Sequence, residues 1–383
     1  MNSMGSRKEE KRILWLMHAI ILLAFSIIAL YTKDSMALLL GVFTSVLTTY
    51  RHFIISKYYP DGDKYLLVLS AFLAEFGIVV LYRIKPYYAI RQSTWFAIGM
   101  SLFILIVVLL PDIEKLRNLK YLYMAAEIGL LLMTQFFGVD RKGSRNWIDL
   151  GFTSFQPSEF AKIFLVLYLA SALKDFKNRK DLILPSAVVG ISLILLVLQK
   201  AAFIFFLIAV TMLYIATNRF HYVLASVLLF LVGATASYYI FPHVRARVAI
   251  WLNPWADPSN NGYQIIQSLY AIASGGFVGT GLFMGHPDYI PEVQTDFIFS
   301  IICEEFGLLG GFAIIIIFFL IVYRGFRAAI KADATFSRLV AVGFSTMIGA
   351  QAFTIIGGVT KMIPLTGITL PLVSYGGSSM VII

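Results

Sequence analysis

Long apolar runs alternate with short polar segments from one end of the chain to the other. Runs of roughly 17 to 25 apolar residues are long enough to cross the hydrocarbon core of a bilayer as helices. Eleven such runs are expected at residues 14–31, 35–53, 65–82, 93–110, 119–138, 157–173, 182–198, 201–217, 222–241, 297–323 and 338–357. A twelfth begins at Ser374 and is incomplete at Ile383. The pattern predicts an all-α, polytopic integral membrane protein.

The composition strengthens this prediction. Hydrophobic residues make up 59% of the chain and charged residues 14%, with a mean hydropathy of +0.81, far from the balance of a soluble domain. The single cysteine, Cys303, excludes a disulfide framework and a thiolate metal site. The first apolar run follows a basic segment as in a signal peptide, but it is too long and lacks a small-residue cleavage site. It is therefore expected to be an uncleaved span.

The basic residues indicate an orientation. Alternating the spans from a cytoplasmic N-terminus places most of the 31 lysines and arginines inside, as the positive-inside rule requires. This orientation puts the large loop at residues 242–296, between the ninth and tenth spans, outside. Cytoplasmic loops facing anionic lipid account for the net charge of +10, so nucleic acid need not be invoked. The glycine-rich residues 274–281 lack the context and the lysine of a P-loop, which excludes nucleotide binding there.

Residues 285–307, GHPDYIPEVQTDFIFSIICEEFG, join a polar loop with several carboxylates to an apolar run of helix length. Asp296 lies at the junction, where its carboxylate is expected to face the loop at the boundary between water and membrane. Two roles stay open for Asp296. It can cap the following helix by accepting hydrogen bonds from free N–H groups, or it can serve as a general base.

A second polar stretch, residues 143–164, reads GSRNWIDLGFTSFQPSEFAKIF, with Pro157 at the expected first turn of a span. Glu159 and Lys162 are three residues apart, so on a helix they share a face and can form an ion pair. The pair either neutralises itself in the membrane or has a function. Ionisable residues inside membranes are costly, which favours function, and Arg145 stands directly upstream.

Further cations lie beside the remaining outer segments. Arg245 and Arg247 open the large loop and either snorkel from the end of a span or bind phosphoryl oxygens. Residues 265–273 have the pattern of a short amphipathic helix on the membrane face. Residues 364–379, PLTGITLPLVSYGGSS, follow Lys361 and are interrupted by proline and glycine. They are either an ordinary loop or a segment that lines a cavity.

These stretches, together with residues 81–99 and 253–268, resemble the SEDS family (shape, elongation, division and sporulation), which contains RodA, FtsW and SpoVE. The resemblance runs from about Leu66 to the end of the chain. Family members usually have ten spans, so residues 1–60 are expected to be an added two-span segment and residues 61–383 the family domain. The resemblance implies a peptidoglycan glycosyltransferase of the cytoplasmic membrane that polymerises lipid II on its outer face, with a class B penicillin-binding protein as transpeptidase partner.

The family's essential aspartate falls on Asp296 and its Glu and Lys pair on Glu159 and Lys162. Chain growth requires a base to take the proton of an acceptor hydroxyl and cations to stabilise the departing lipid pyrophosphate. Asp296 is the expected base, and Glu159 is expected to hold Lys162. The expected binding residues for the leaving group are Arg145, Lys162, Arg245, Arg247 and Lys361. No cofactor is required, and assistance by a divalent ion, Mg or Mn, at the diphosphate stays open.

One departure from the family leaves other functions open. At residues 198–202 the chain reads Leu-Gln-Lys-Ala-Ala, where the family carries Asp-Leu-Gly after the proline or lysine, so the bend at Lys200 is altered. A scaffold that recruits a penicillin-binding protein without catalysis is one alternative. A lipid II flippase is the other, since Glu75 and Glu127 also lie within predicted spans.

Overall fold

The computed structural model describes residues 3–60, 62–110, 112–139, 146–149, 151, 154–197, 201–260 and 262–383, with side chains from residue 8 onward. The fold is all-α, as predicted. The helices are α1 (Ser3–Thr32), α2 (Met36–Tyr58), α3 (Lys64–Ile84), α4 (Pro86–Leu109), α5 (Lys120–Phe137), α6 (Pro157–Leu173), α7 (Ile183–Val197), α8 (Ala202–Thr217), α9 (Phe220–Ile240), α10 (Pro242–Leu252), α11 (Tyr263–Ser274), α12 (Ile298–Lys331), α13 (Thr335–Val359) and α14 (Gly377–Ile382). Short 3₁₀ turns occur at Ile113–Leu116, Arg179–Leu182, Pro254–Ala256 and Pro287–Tyr289. A small antiparallel hairpin pairs β1 (Ile148–Asp149) with β2 (Ser154–Phe155).

Each predicted span coincides with a helix, and eight helices of the described chain are long and apolar enough to cross a membrane. The protein is a multi-pass membrane protein. Pro157 occupies the first turn of α6, as predicted, where its missing N–H costs no helical hydrogen bond. The predicted amphipathic segment at 265–273 is the core of α11.

The segments that connect the long helices define two ends of the bundle. One end contains residues 33–35, 241–260, 262–297 and 360–376, and is called the site end. Contacts across it include Arg247 with Thr366 and Tyr375 with Gln294. At the opposite end, Arg324 of α12 forms an ion pair with Asp63 at 2.6 Å.

The centre of the bundle is formed by α3, α6, α8, α12 and α13. Glycines allow close approach at two places. A Cβ on Gly343 of α13 would lie 2.5 Å from Val166 of α6, and one on Gly77 of α3 would lie 2.5 Å from the carbonyl oxygen of Val373. The second contact brings the segment between α13 and α14 against α3. That segment is therefore held inside the bundle and is not an ordinary surface loop.

The tenth predicted span, 297–323, is confirmed as a helix, but it contains one interruption. α12 is broken at Gly307, whose φ of 66° and ψ of −171° are not helical. The preceding loop fills the break. The N–H of Thr280 donates to the carbonyl of Glu304 at 2.9 Å, and the N–H of Leu308 donates to that of Gly276 at 3.0 Å. The backbone groups freed by the break are thus satisfied by protein, as a non-helical segment at this depth requires.

Two parts of the molecule differ in how they join the bundle. The hairpin of α1 and α2 packs on α3, and Asp34 in its turn accepts a hydrogen bond from Tyr82. α9, in contrast, has no buried residue. Its apolar surface faces a gap beside α7 and α8 on one side and the membrane on the other.

Candidate active site

Asp296 is half-buried in a turn directly before α12. The N-cap position of α12 falls on Phe297, which makes no side-chain capping hydrogen bond. The carboxylate lies beside Gly367 instead, since a Cβ built on Gly367 would be 3.2 Å from Asp296 Oδ2. The same Cβ would be 3.6 Å from Arg247 Nη2. Asp296 and Arg247 therefore flank one glycine of the segment between α13 and α14.

Arg247 belongs to α10, outside the candidate spans, and its Nη1 donates to the carbonyl of Thr366 at 2.9 Å. Burial lowers the pKa of its guanidinium, and the Asp296 carboxylate opposes this lowering because it favours the cation. An arginine remains charged despite such a shift. The arrangement therefore places a cation next to the carboxylate.

The segment between α13 and α14 fixes the backbone on either side of Asp296. Ser374 Oγ donates to the carbonyl of Thr295 at 2.5 Å and accepts from the N–H of Leu370 at 2.9 Å. The N–H of Tyr375 donates to the carbonyl of Gln294 at 2.8 Å. The stretch at 364–379, for which two interpretations were open, thus forms the support of the Asp296 turn.

Glu159 and Lys162 form the ion pair that their spacing predicts. Lys162 Nζ lies 2.8 Å from Glu159 Oε1, and both side chains are almost fully buried. Lys162 also donates to Gln351 Oε1 of α13 at 2.6 Å, and Gln351 Nε2 donates to the carbonyl of Thr369 at 3.0 Å. Gln351 was missed at the sequence level, because nothing local distinguishes an amide in an apolar helix from an ordinary buried polar residue.

The ion pair and the Asp296 turn share one short segment. Thr369 is two residues from Gly367, and consecutive Cα atoms are 3.8 Å apart, so these two Cα atoms are at most about 7.6 Å apart. Glu159 Oε2 is buried and has no hydrogen-bond partner among the described residues. The region between the pair and Asp296 therefore combines a cation, a carboxylate and an unsatisfied oxygen.

Other predicted residues lie elsewhere or are not described. Arg245 is exposed, and its Nη2 donates to the carbonyl of Tyr239 at 3.0 Å, towards the end of α9. Lys361 Nζ lies 5.0 Å from the centroid of the Trp255 ring. Neither contact joins its residue to Asp296. Arg145 and Lys200 lie outside the described residues.

The two other predicted intramembrane carboxylates are held by hydroxyl groups. Glu75 accepts a hydrogen bond from Thr48 of α2. Glu127 accepts one from Ser192 of α7 at 2.6 Å. Within the described ranges, no group of three or more His, Cys, Asp or Glu side chains converges in a way that could hold a metal ion.

An apolar groove leads to the site from the side of the bundle. Its volume is about 950 Å³, and its walls are formed mainly by α7, α8 and α9. It extends from Leu173, Leu182 and Leu213 at the opposite end to Arg247 and Thr366 at the site end. The groove was not predicted, although the uniformly apolar sequence of α9 was a signal for it. The apolar surface of a helix without buried residues must be covered either by lipid or by a ligand.

The chain is similar to proteins of known family. A family model for FtsW, RodA and SpoVE, described as cell cycle protein, matches residues 64–383. The chain belongs to this family. The peptidoglycan glycosyltransferase RodA of Mycobacterium tuberculosis is 35% identical over 361 aligned residues, covering 86% of this chain and 77% of the relative. Stage V sporulation protein E of Bacillus subtilis is 33% identical over 347 residues, covering 83% and 93%.

Solved structures agree with this membership. A chain from a peptidoglycan synthase complex, studied for the structural coordination of polymerization and crosslinking, has a TM-score of 0.72 and 29% identity, covering 85% of this chain and 95% of that chain. The rod shape determining protein RodA of Thermus thermophilus has a TM-score of 0.63 and 28% identity, covering 85% and 93%. The SEDS resemblance is thus confirmed. α1 and α2 precede the matched residues.

Proposed function

We propose that this SEDS protein is a peptidoglycan glycosyltransferase that polymerises lipid II at the outer face of the cytoplasmic membrane. The observation that carries the proposal is the junction of an apolar groove with a carboxylate and a guanidinium. The groove ends at Arg247, and Asp296 lies across Gly367 from that residue. A polyprenyl diphosphate sugar has the same sequence of parts, namely a long apolar chain, an anionic diphosphate and a polar sugar.

Each part of the substrate has a matching region of the site. The lipid tail occupies the groove between α8 and α9, whose volume is at the upper end of the range for ligand pockets. The diphosphate lies near Arg247, because a guanidinium presents paired N–H donors to phosphoryl oxygens. The sugar that carries the attacking 4-hydroxyl then lies near Asp296.

The reaction follows from this placement. Asp296 takes the proton of the 4-hydroxyl as its oxygen forms a bond to the anomeric carbon of the donor. The bond between that carbon and the pyrophosphate oxygen breaks, and the electron pair leaves with the lipid pyrophosphate. Arg247 and Lys162 offset the negative charge that develops on the leaving group. Pyrophosphate leaves as a stable anion, so no general acid is needed.

The remaining predicted roles belong to the same proposal. Glu159 and Gln351 hold Lys162 at the site, while Arg145, Arg245 and Lys361 act on the diphosphate as the substrate arrives. The positive-inside rule supports an external site, because the opposite end of the bundle carries cations such as Arg179, Lys180 and Arg324. A transpeptidase of the class B penicillin-binding type is the proposed partner, supported by the likeness to a chain of a polymerization and crosslinking complex.

Reconstitution tests this function. Purified protein in liposomes that contain lipid II is expected to make glycan strands. Asp296→Asn keeps the shape of the side chain but removes the proton acceptor, and is expected to reduce the rate on the order of a hundredfold or more while leaving the fold intact. Movement of labelled lipid II across the bilayer without polymer would indicate a flippase instead. Polymer made only by an added penicillin-binding protein would indicate a scaffold.

A divalent ion at the diphosphate is part of the same reconstitution test. The described residues offer no group of three or more His, Cys, Asp or Glu side chains that could hold such an ion. An ion that arrives with the substrate would make polymerisation depend on Mg or Mn after chelation with EDTA. Equal rates with and without chelator would contradict that role.

A further inference from the structure

The turn between α1 and α2 is fixed to the part of the chain that the family model matches. Asp34 accepts a hydrogen bond from Tyr82 of α3 and a second one, at 3.0 Å, from the N–H of Met36. Both bonds lie at the site end, next to the last turn of α1. The hairpin precedes the matched residues, yet its turn cannot shift without breaking a contact to α3.

The last turn of α1 also contacts the loop that precedes Asp296. The rings of Tyr31 and Phe283 are stacked, with centroids 4.7 Å apart and planes 26° apart. Phe283 has a φ of 74°, which is strained for a bulky residue and persists only where its surroundings hold it. Arg83 lies over the same ring at 4.5 Å and donates to the Phe283 carbonyl at 3.3 Å. Phe283 is therefore held from both α1 and α3.

This loop is bonded to the first part of α12. Arg83 Nε forms an ion pair with Glu305 Oε1 at 2.9 Å, and the N–H of His286 donates to Glu304 Oε1 at 3.1 Å. Glu304 and Glu305 lie just before the break at Gly307. The first part of α12, residues 298–306, contains both glutamates and forms a rod of about 13 Å at 1.5 Å per residue. A movement of the loop at one end of this rod therefore moves the turn at the other end.

We propose that Tyr31 is a positioning residue for the Asp296 turn, acting through Phe283, Arg83 and the first part of α12. The added hairpin then contributes to the geometry of the reaction without touching substrate. Tyr31 is 60% exposed, so the competing role is that of an interfacial aromatic anchor in the membrane. If Tyr31 were only an anchor, its removal would not change the conformation of residues 283–286.

The test uses the full-length protein and two measurements. Tyr31→Ala removes the stack, which is expected to raise hydrogen exchange of the amides at residues 283–286 by about threefold to tenfold, the range of an aromatic pair. In the lipid II assay, kcat is expected to fall by a similar factor while KM stays unchanged, because the base moves and the groove does not. Tyr31→Phe keeps the ring and is expected to restore both values.

Leu30→Ala is the matched control, since Leu30 is adjacent, 81% exposed and outside the stack. The proposal is overturned if Tyr31→Ala and Leu30→Ala give the same exchange at residues 283–286. It is also overturned if exchange rises in Tyr31→Ala but kcat matches the control. The kcat measurement rests on the proposed function, whereas the exchange measurement does not. Absence of polymerisation by the unaltered protein would contradict the proposed function alone. Hydrogen exchange at residues 283–286 would still test whether Tyr31 holds the loop.

Discussion

Two ion pairs with little exposure to solvent lie at the site end of the bundle, and they differ in what surrounds them. Glu159 and Lys162 are one helical turn apart on α6, with charged atoms at 2.8 Å. Arg83 and Glu305 are 222 residues apart and join α3 to α12 at 2.9 Å. Both pairs remove charge from water at similar cost, so their different surroundings indicate different roles.

The Arg83 pair has further hydrogen-bond partners in the protein. Besides Glu305, Arg83 donates to the carbonyl oxygens of Phe283 and Gly285 at 3.3 and 2.9 Å. The Lys162 pair is incomplete, because Glu159 Oε2 is buried without a partner among the described residues. A pair with several protein partners is typical of a structural clamp. An incomplete pair that is linked through Gln351 to the segment supporting Asp296 is typical of a site that a ligand completes.

The largest effect is expected from a substitution that breaks the Glu159–Lys162 pair. Lys162→Met leaves the Glu159 carboxylate buried and unpaired, which should lower the free energy of unfolding by about 3 to 5 kcal/mol. The double variant Glu159→Gln with Lys162→Met should regain most of this stability. Polymerisation should remain reduced on the order of a hundredfold in both, because the cation that we propose to face the leaving group is missing.

Thermal unfolding and lipid II polymerisation measured on the same preparations separate the two roles of Lys162. A double variant that folds and polymerises at the rate of the unaltered protein would make the first pair as structural as the second. The comparison between the two pairs would then fail.

The two pairs also show what a sequence can predict. The spacing of Glu159 and Lys162 is local, so helical periodicity alone brings them together. Arg83 and Glu305 meet only because α3 and the broken α12 pack side by side. For the same reason Gln351, which extends the first pair, and Thr366, which holds Arg247, were not predicted. Their partners lie 189 and 119 residues away.

The helices themselves were predicted closely, because hydropathy over about 20 residues is a local property. The predicted spans at 157–173 and 201–217 match α6 and α8 to within a residue. The break in α12 was missed because Glu305, Phe306 and Gly307 continue the expected helix in composition. Only the loop at 276–281, which supplies hydrogen bonds across the break, makes the non-helical conformation of Gly307 stable.

The next largest effect is expected at Gly367, in the segment that links the Glu159–Lys162 pair to Asp296. Gly367 has a φ of 69°, and a Cβ there would lie 3.2 Å from Asp296 Oδ2. Gly367→Ala is thus expected to displace the carboxylate by a few tenths of an ångström and to lower kcat on the order of tenfold. Gly129→Ala is the control, because its Cβ would meet nothing within 4 Å. Equal rates in the two variants would show that this link does not position the base.

A smaller effect on activity is expected from the second pair. Arg83→Lys keeps the charge, but one ammonium cannot replace a fork that serves Glu305 and two carbonyl oxygens. The free energy of unfolding should fall by about 1 to 3 kcal/mol, which is the cost of leaving buried acceptors unsatisfied. Polymerisation should fall by less than tenfold, because the loop loosens while the charges around Asp296 remain. A folded Arg83→Lys protein with a hundredfold loss of rate would place this pair in the reaction itself.

The smallest effect concerns the turn that attaches α1 and α2 beside the second pair. The hydrogen bond from Tyr82, and then that from the N–H of Met36, lower the pKa of Asp34, because both donors favour the ionised carboxylate. The attachment is therefore complete above the ordinary aspartate pKa of about 3.9 and is lost as the pH falls through the lower pKa of the folded protein. Protection of the Met36 amide, corrected for intrinsic exchange, should decrease a few-fold from pH 6 to pH 3. Asp34→Asn should show no such pH dependence, since the amide acceptor does not titrate. An identical decrease in both proteins would assign the change to another titrating group.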